Sequence, residues 1–205
     1  MKTNAELKLE GKRSLEGNWG LAIIATIIVG VVSGLGGSSD QEPSTFESIL
    51  SILSLILSGP LTYGLSKIFL SMTRSEKVTF TNLFDGFSFF LQTLLSHVLK
   101  FIFIMLWFLL LIIPGFIAIL RYAMSYYIMV DNPGISGLDA IRRSKQMMHG
   151  HKARLFSLWI SFFGWFILGI ITLGLGFLYV APYFEATLAS FYEDLKNNGA
   201  TSNLS

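Results

Sequence analysis

Four long apolar stretches constrain the fold of this chain more than any other feature of its sequence. They run over Trp19–Leu35, Phe46–Met72, Phe89–Val130 and Leu155–Tyr192. A helix of about 20 apolar residues crosses the ~30 Å hydrocarbon core of a bilayer, so the third and fourth stretches are long enough to cross twice. The sequence therefore predicts an all-α fold, a polytopic membrane helix bundle.

The composition excludes an ordinary soluble enzyme. Of the 205 residues, 52% are hydrophobic and only 14% are charged, against roughly 25% charged residues in a typical soluble domain. The 18 Phe, 7 Tyr and 4 Trp exceed what one small core can bury, so the surplus is expected to face lipid. A net charge of +2 and the lack of a recognition motif predict no nucleic-acid partner.

The first two apolar stretches are expected to form one helical hairpin. Trp19–Leu35 could instead be a cleaved signal peptide, but the acidic residues that precede it, Glu6 among them, do not suit a basic leader segment. In the second stretch, Gly59-Pro60 predicts a bend. Ser48, Ser51 and Ser54 form a stripe that is expected to face protein rather than lipid.

The third stretch is either one kinked span over Phe101–Leu120 or a hairpin that turns near Pro114-Gly115. Basic residues lie toward both ends of this stretch. Those toward its start are Lys67, Arg74, Lys77 and Lys100, and those after its end are Arg142, Arg143, Lys145, Lys152 and Arg154. Short basic loops are retained in the cytoplasm, so the stretch must cross an even number of times. The hairpin is therefore predicted, with His97 and Lys100 extending toward the inner interface.

The fourth stretch is divided by Gly174 and Gly176 and is predicted to be a third hairpin. The prediction is then a single transmembrane domain over 19–192, with a cytoplasmic helix over 1–18 and a cytoplasmic tail over 193–205. Six spans are expected, at about 19–35, 46–72, 89–113, 115–130, 155–173 and 177–192. All 15 basic residues then lie in cytoplasmic segments or in the arms leading to them, with both termini cytoplasmic.

A helix over 136–149 is predicted between the fourth and fifth spans, where Ser136 to Asp139 form a helix-start signal. Leu138, Ile141 and Met148 share one face, which is expected to contact acyl chains. The other face is basic. Five cations are expected to contact anionic lipid headgroups: Arg142, Arg143, Lys145, Lys152 and Arg154. The helix serves either as a topology anchor or as a recognition site for a lipid or an acidic partner.

The sequence shows no catalytic or metal-binding motif. The absence of cysteine excludes thiolate metal sites and thiol nucleophiles. His149 and His151 are close together, but no third ligand lies near them in sequence, so no metal and no cofactor is predicted.

Arg121 and Glu185 are the candidate intramembrane charge pair. Counted from the predicted turns, Arg121 lies about 10 Å deep and Glu185 about 13 Å deep. A lone charge costs roughly 2.5–3.5 kcal/mol at the centre of a membrane helix, so pairing would lower the cost. In the alternative, Arg121 extends to the inner interface among tyrosines while Glu185 is protonated.

Several motifs recur in one order along nearly the whole chain. They are Glu6-Leu7-Lys8 with Leu15 to Trp19; Gly59-Pro60-Leu61 with Gly64; Ile113-Pro114-Gly115 with Arg121-Tyr122; Ser144 to Met148 with Gly150-His151-Lys152 and Leu155-Phe156; Phe163-Gly164-Trp165; and Ala181-Pro182-Tyr183 through Phe191-Tyr192. This pattern resembles a domain-of-unknown-function family of small multi-pass membrane proteins of Gram-positive bacteria. The resemblance implies a bacterial plasma-membrane protein and brings no catalytic residues.

The function expected from these features is non-enzymatic. The chain would bind a lipid or another membrane protein, protect the envelope, or assist an exporter, with the bilayer and its anionic headgroups as its partners. The alternative is a small transporter or channel that uses Arg121 and Glu185, because ionisable residues within spans often mark transport pathways.

Overall fold

The computed structural model of the chain describes residues 1–35 and 44–202, and within them it is an all-α bundle with no strand. Its elements are α1 (Asn4–Ser14), α2 (Trp19–Gly34), α3 (Thr45–Thr73), a 3-10 helix (Phe80–Phe89), α4 (Phe90–Leu110), α5 (Ile112–Tyr122), α6 (Ser125–Asp131), α7 (Gly137–Met147), α8 (Lys152–Ser161), α9 (Phe163–Ile171) and α10 (Phe177–Ser202). The connection between α2 and α3, predicted to be extracellular, lies mostly outside the described residues.

Helices cover all six predicted spans. Four segments of the described chain are long and apolar enough to cross a membrane: Thr45–Thr73, Phe80–Leu110, Ile112–Asp131 and Lys152–Ile171. Helix α2, with 16 residues, is shorter, and the chain bends by 102° between α1 and α2.

The third apolar stretch is a hairpin, as predicted, and not one kinked span. Phe108 contacts Phe116 with ring centroids 5.5 Å apart, and Phe103 contacts Tyr122 at 6.1 Å. The contact nearer the start of α4 is made with the residue nearer the end of α5, so the two helices are antiparallel. The turn is at Leu111, not at Pro114-Gly115, because Pro114 fits the first turn of α5, where no N–H donor is needed.

The last stretch also forms a hairpin, between α9 and α10. Phe166 contacts Phe177 at 6.1 Å, and Phe162 contacts Phe184 at 5.2 Å. The turn between these helices places Leu173 and Gly174 at φ values of 52° and 94°.

Helices α2 and α3 contact each other at Ser54 of the predicted serine stripe. Ser54 is buried, and its hydroxyl donates to the carbonyl oxygen of Val32 at 2.7 Å. Ser54 therefore faces protein, as expected. Ser48 and Ser51 are only partly buried, and Ser51 donates within α3, to the carbonyl oxygen of Glu47. Helix α3 continues through Pro60, and the 3-10 helix packs so closely on it that a Cβ on Gly64 would overlap the carbonyl oxygen of Leu83.

Helix α1 packs on the last hairpin instead of standing alone. A capping box between Thr3 and Glu6 starts it, and Leu7 and Leu15 are fully buried. A Cβ on Gly11 would lie 2.7 Å from the hydroxyl oxygen of Thr187 in α10, so the two helix backbones are in close contact.

The helix predicted over 136–149 forms, but the prediction that its apolar face contacts acyl chains is wrong. Helix α7 buries Ile141 against protein, and a Cβ on Gly137 would lie 2.6 Å from the amide nitrogen of Ser96 in α4. The Ser144 hydroxyl donates to the carbonyl oxygen of Arg121 at 2.8 Å. The apolar face therefore contacts α4 and α5 and not acyl chains, because those helices offer a complementary buried surface.

Candidate functional site

The structure does not bring the predicted pair, Arg121 and Glu185, together. Arg121 lies on α5 and turns toward α4, with its guanidinium carbon 5.7 Å from the centre of the Trp107 ring. Glu185 lies on α10, and one of its carboxylate oxygens accepts a hydrogen bond from the Tyr127 hydroxyl at 3.5 Å. Similar depth does not suffice for pairing, since the rotation of each helix about its own axis decides which neighbour a side chain meets.

The three predicted headgroup cations on α7 are exposed. Arg142 lies 3.4 Å from Asp139, and Arg143 donates to the side-chain oxygen of Asn132 at 3.1 Å. Lys145 is also exposed. The basic face of α7 is thus exposed, although Arg142 and Arg143 contact the side chains of Asp139 and Asn132.

Arg154, the last of the five predicted headgroup cations, is committed to another contact. Its guanidinium lies 2.5 Å from the carboxylate of Asp194 and also donates to the carbonyl oxygen of Lys2. Burial raises the pKa of Asp194, but the hydrogen bonds from Arg154 and from the Lys2 N–H outweigh it and hold the pKa below its usual value. This cluster ties the N-terminus to α8 and α10.

Lys152, the remaining predicted cation, lines a groove between α5 and α8. The cavity has a volume of about 550 Å³, and its other lining residues are apolar: Ile113, Phe116, Ile117, Leu120, Ala153 and Phe156. Ile113 is 73% exposed and Phe116 is 54% exposed, so the groove opens on the outer surface of the bundle. The groove therefore has an apolar lining and one lysine side chain.

The two ends of this groove differ in character. Ile113 marks one end of the groove, beside the apolar turn at Leu111. Lys152 marks the other end, where the chain leaves α7. Helix α7 contacts that same end of α5, because the Ser144 hydroxyl donates to the carbonyl oxygen of Arg121. Lys152 is also the first residue of α8, and the preceding residue, His151, makes no side-chain capping bond. The N–H groups of that first turn and the positive end of the helix dipole therefore add to the charge of Lys152.

A second cavity, of about 300 Å³, lies between α3, α4, α5 and α6. It is lined by Thr62, His97, Lys100, Phe101, Ile104, Ile119, Tyr122, Ala123 and Tyr126. The Lys100 ammonium lies 3.2 Å from the centre of the Tyr126 ring. The His97 Nδ1 atom and the Tyr126 hydroxyl share a hydrogen bond of 2.8 Å. No carboxylate is among the lining residues, so Lys100 and His97 have no counter-charge within this pocket.

Lys100, which was expected to extend toward the inner interface, lies over the Tyr126 ring in this pocket. An ammonium group over an aromatic face gains a favourable contact that a partly buried cation would otherwise lack. The sequence offers no signal for this arrangement, because Tyr126 comes close to Lys100 only through the hairpin.

The sequence analysis did not predict an ionic cluster that surrounds Asp131. Arg74 lies 2.7 Å from Asp131 and 2.6 Å from Glu193, and Lys196 lies 2.6 Å from Asp131. The cluster joins the ends of α3 and α6 to the second half of α10. Its members are far apart in sequence, and no spacing pattern connects them.

The fold and the groove define an all-α bundle that has helices apolar enough to cross a membrane and an apolar groove, open on the outer surface, with one lysine at its end. The chain belongs to the DUF975 family, described as proteins of unknown function, whose family model matches residues 1–120 and again residues 102–199. The domain-of-unknown-function resemblance seen in the sequence is thereby confirmed. No curated protein and no solved structure matches the chain.

Proposed function

We propose that this protein is a non-enzymatic integral membrane protein that binds an anionic phospholipid in the groove between α5 and α8. The observation that carries the proposal is the groove itself, with Lys152 at one end and only apolar residues along the rest. A phosphate would lie at Lys152 and at the first turn of α8, whose N-cap residue makes no side-chain capping bond. One acyl chain would follow α5 toward Ile113.

The proposal includes a location in the bacterial plasma membrane with both termini in the cytoplasm. Its support is the distribution of basic residues, because Lys and Arg in short loops are retained on the cytoplasmic side. The exposed Arg142, Arg143 and Lys145 of α7 would then face the same anionic headgroups, each adding about 1 kcal/mol near the surface.

A lipid-dependent stability measurement tests the groove. The purified protein would be heated in detergent with added phosphatidylglycerol or, as the uncharged comparison, phosphatidylcholine. Phosphatidylglycerol is expected to raise the Tm more, since a ligand that binds only the folded state stabilises it. Lys152→Ala should weaken the apparent affinity about five-fold, which corresponds to about 1 kcal/mol.

Two further variants complete the design. Lys145→Ala removes an exposed cation outside the groove and should retain the preference for phosphatidylglycerol, whereas Ala153→Phe fills the groove and should abolish it. Equal stabilisation by both lipids, or an unchanged preference in Lys152→Ala, would contradict the proposal.

A second candidate function is the transport of a small anion through the Lys100 pocket. It rests on the placement of Lys100 and His97 in a cavity with no lining carboxylate. Anion flux into liposomes carrying the protein, lost in Lys100→Met and kept in Lys145→Ala, would support it. Liposomes that show no flux above protein-free vesicles would reject it.

A further inference from the structure

We propose that the turns of the α4–α5 and α9–α10 hairpins stop inside the hydrocarbon of one leaflet, so that both hairpins enter and leave the membrane on the same face. The surface concerned comprises residues 107–116 and 168–178, and its partner is the acyl-chain region of that leaflet. The inference is independent of lipid binding in the groove.

Both turns expose apolar side chains where a turn in water would expose polar ones. Leu109 and Ile113 are 85% and 73% exposed, and Leu173 is 96% exposed. Residues 107–116 contain no charged, amide or hydroxyl side chain. Among residues 168–178, Thr172 is the only one with such a side chain. Exposed apolar clusters of this size mark surfaces that contact a membrane or another protein, and the internal pairing of the turn's polar groups favours the membrane.

The turn between α9 and α10 also satisfies its own polar groups. The Thr172 hydroxyl donates to the carbonyl oxygen of Leu168 at 2.9 Å and accepts from the N–H of Gly176 at 2.8 Å. The N–H of Gly174 donates to the carbonyl oxygen of Gly169 at 2.9 Å. Such internal pairing is what hydrocarbon requires, since no water is present to replace a missing partner.

The turn between α4 and α5 has few free donors for a related reason. The Leu111 N–H donates to the carbonyl oxygen of Trp107, and the Gly115 N–H donates to that of Leu111. Pro114 has no N–H. The proline that the sequence pattern singled out thus removes one donor next to the exposed turn of the hairpin.

Ionisable residues interrupt three of the four arms about halfway through the thickness of a bilayer core. On the first hairpin, Lys100 and Arg121 lie about 15–17 Å along the helices from Leu111, against ~30 Å for a full crossing. On the second, Glu185 lies about 14 Å from Gly176.

The α8–α9 arm has no ionisable residue of its own between Arg154 and the turn. The Lys8 ammonium of α1, however, donates to the carbonyl oxygen of Ser161, about 18 Å along the arm from Leu173. Ionisable groups therefore reach all four arms near the depth expected for one leaflet.

The charged outer face of α1 lies beside the base of the second hairpin, where it requires contact with water. Helix α1 lies against Thr187 of α10, and its Lys8 ammonium donates to the carbonyl oxygen of Ser161 at 2.6 Å. Its outer face exposes four charged residues: Glu6, Lys12, Arg13 and Glu16. A face with four charges does not enter hydrocarbon, so the part of the hairpin beside α1 lies outside it and only the arms beyond Ser161 and Thr187 are inserted.

The hairpin of α2 and α3 differs from the other two. Its connection contains Asp40 and Glu42, and Thr45 begins a helix that is 29 residues long. At about 43 Å, α3 is long enough to reach the opposite face. This hairpin provides a matched comparison within the same chain.

Single cysteines in the naturally cysteine-free chain test the inference in proteoliposomes. Leu111→Cys and Leu173→Cys would carry a fluorescent label, quenched either by lipids brominated at mid-chain or by lipids with a quencher near the headgroup. Quenching at least two-fold stronger by the mid-chain lipids is expected for both positions. Neither cysteine should react with a membrane-impermeant maleimide from either side.

Controls separate the inference from a general failure of labelling. Lys145→Cys on the exposed face of α7 should react with the impermeant maleimide and be quenched more by the headgroup lipids. Leu110→Cys and Leu175→Cys, both 71% exposed, replace the first pair if either fails to fold. A turn cysteine that reacts with the impermeant reagent, or that the headgroup lipids quench more, would overturn the inference.

Discussion

The guanidinium of Arg154 and the carboxylate of Asp194 lie 2.5 Å apart, with side chains only 18% and 5% exposed. Arg154 is near the start of α8 and Asp194 is in the second half of α10, so the contact fixes the base of the last hairpin. The Lys2 backbone joins both residues, which makes the N-terminus part of the same cluster.

Breaking this pair should destabilise the protein. Asp194→Asn leaves the mostly buried Arg154 without a counter-charge and is expected to lower the free energy of unfolding by about 2 kcal/mol. The measurement is thermal unfolding in detergent. Arg142→Ala, which removes an arginine whose side chain is 67% exposed, should change the Tm little, and an equal loss in both variants would argue against a specific role for the pair.

The same cluster predicts an acid-dependent loss of stability. The pKa of Asp194 is lowered in the folded protein, so its contribution is present above the pKa of an unfolded aspartate, about 3.9. The contribution is lost as the pH falls through the lowered folded pKa. Tm measured from pH 6 downward should therefore fall less steeply in Asp194→Asn than in the natural protein; parallel curves would show that Asp194 does not titrate with folding.

Arg121 and Glu185 are expected to behave independently. Because they contact Trp107 and Tyr127 respectively, the effects of Arg121→Gln and Glu185→Gln on stability should add within about 0.5 kcal/mol in the double variant. Tyr127→Phe combined with Glu185→Gln should instead be non-additive. A double Arg121/Glu185 variant that is milder than the sum would restore the pair predicted from depth.

The packing of the 3-10 helix on α3 makes Gly64 intolerant of a side chain. Gly64→Ala would place a methyl group on the Leu83 backbone, and overpacking of this kind costs about 1–3 kcal/mol. Gly30→Ala is the matched control, because a Cβ there meets no atom within 4 Å, and it should stabilise α2 by about 0.5–1 kcal/mol. Folded yield after detergent extraction reports both effects, and equal yields would contradict the close packing.

The sequence by itself determined the helical class and the hairpin order. Long apolar stretches have no stable alternative to helices in lipid, because the backbone must satisfy its own hydrogen bonds. The placement of basic residues on both sides of the third stretch required an even number of crossings, and the α4–α5 hairpin has that form. The serine stripe at Ser54 was also readable, since small polar residues favour helix contacts.

Only the tertiary structure decided which side chains meet. Helix depth can be counted from a sequence, but the rotation of a helix about its axis depends on all its neighbours, so Arg121 turns to Trp107 and Glu185 to Tyr127. The groove at Lys152 exists only because α5 and α8, which are far apart in the chain, leave a gap between them. The Arg74–Asp131–Glu193 cluster likewise combines the ends of α3 and α6 with a residue within α10. Packing sets their proximity, and no local sequence pattern encodes it.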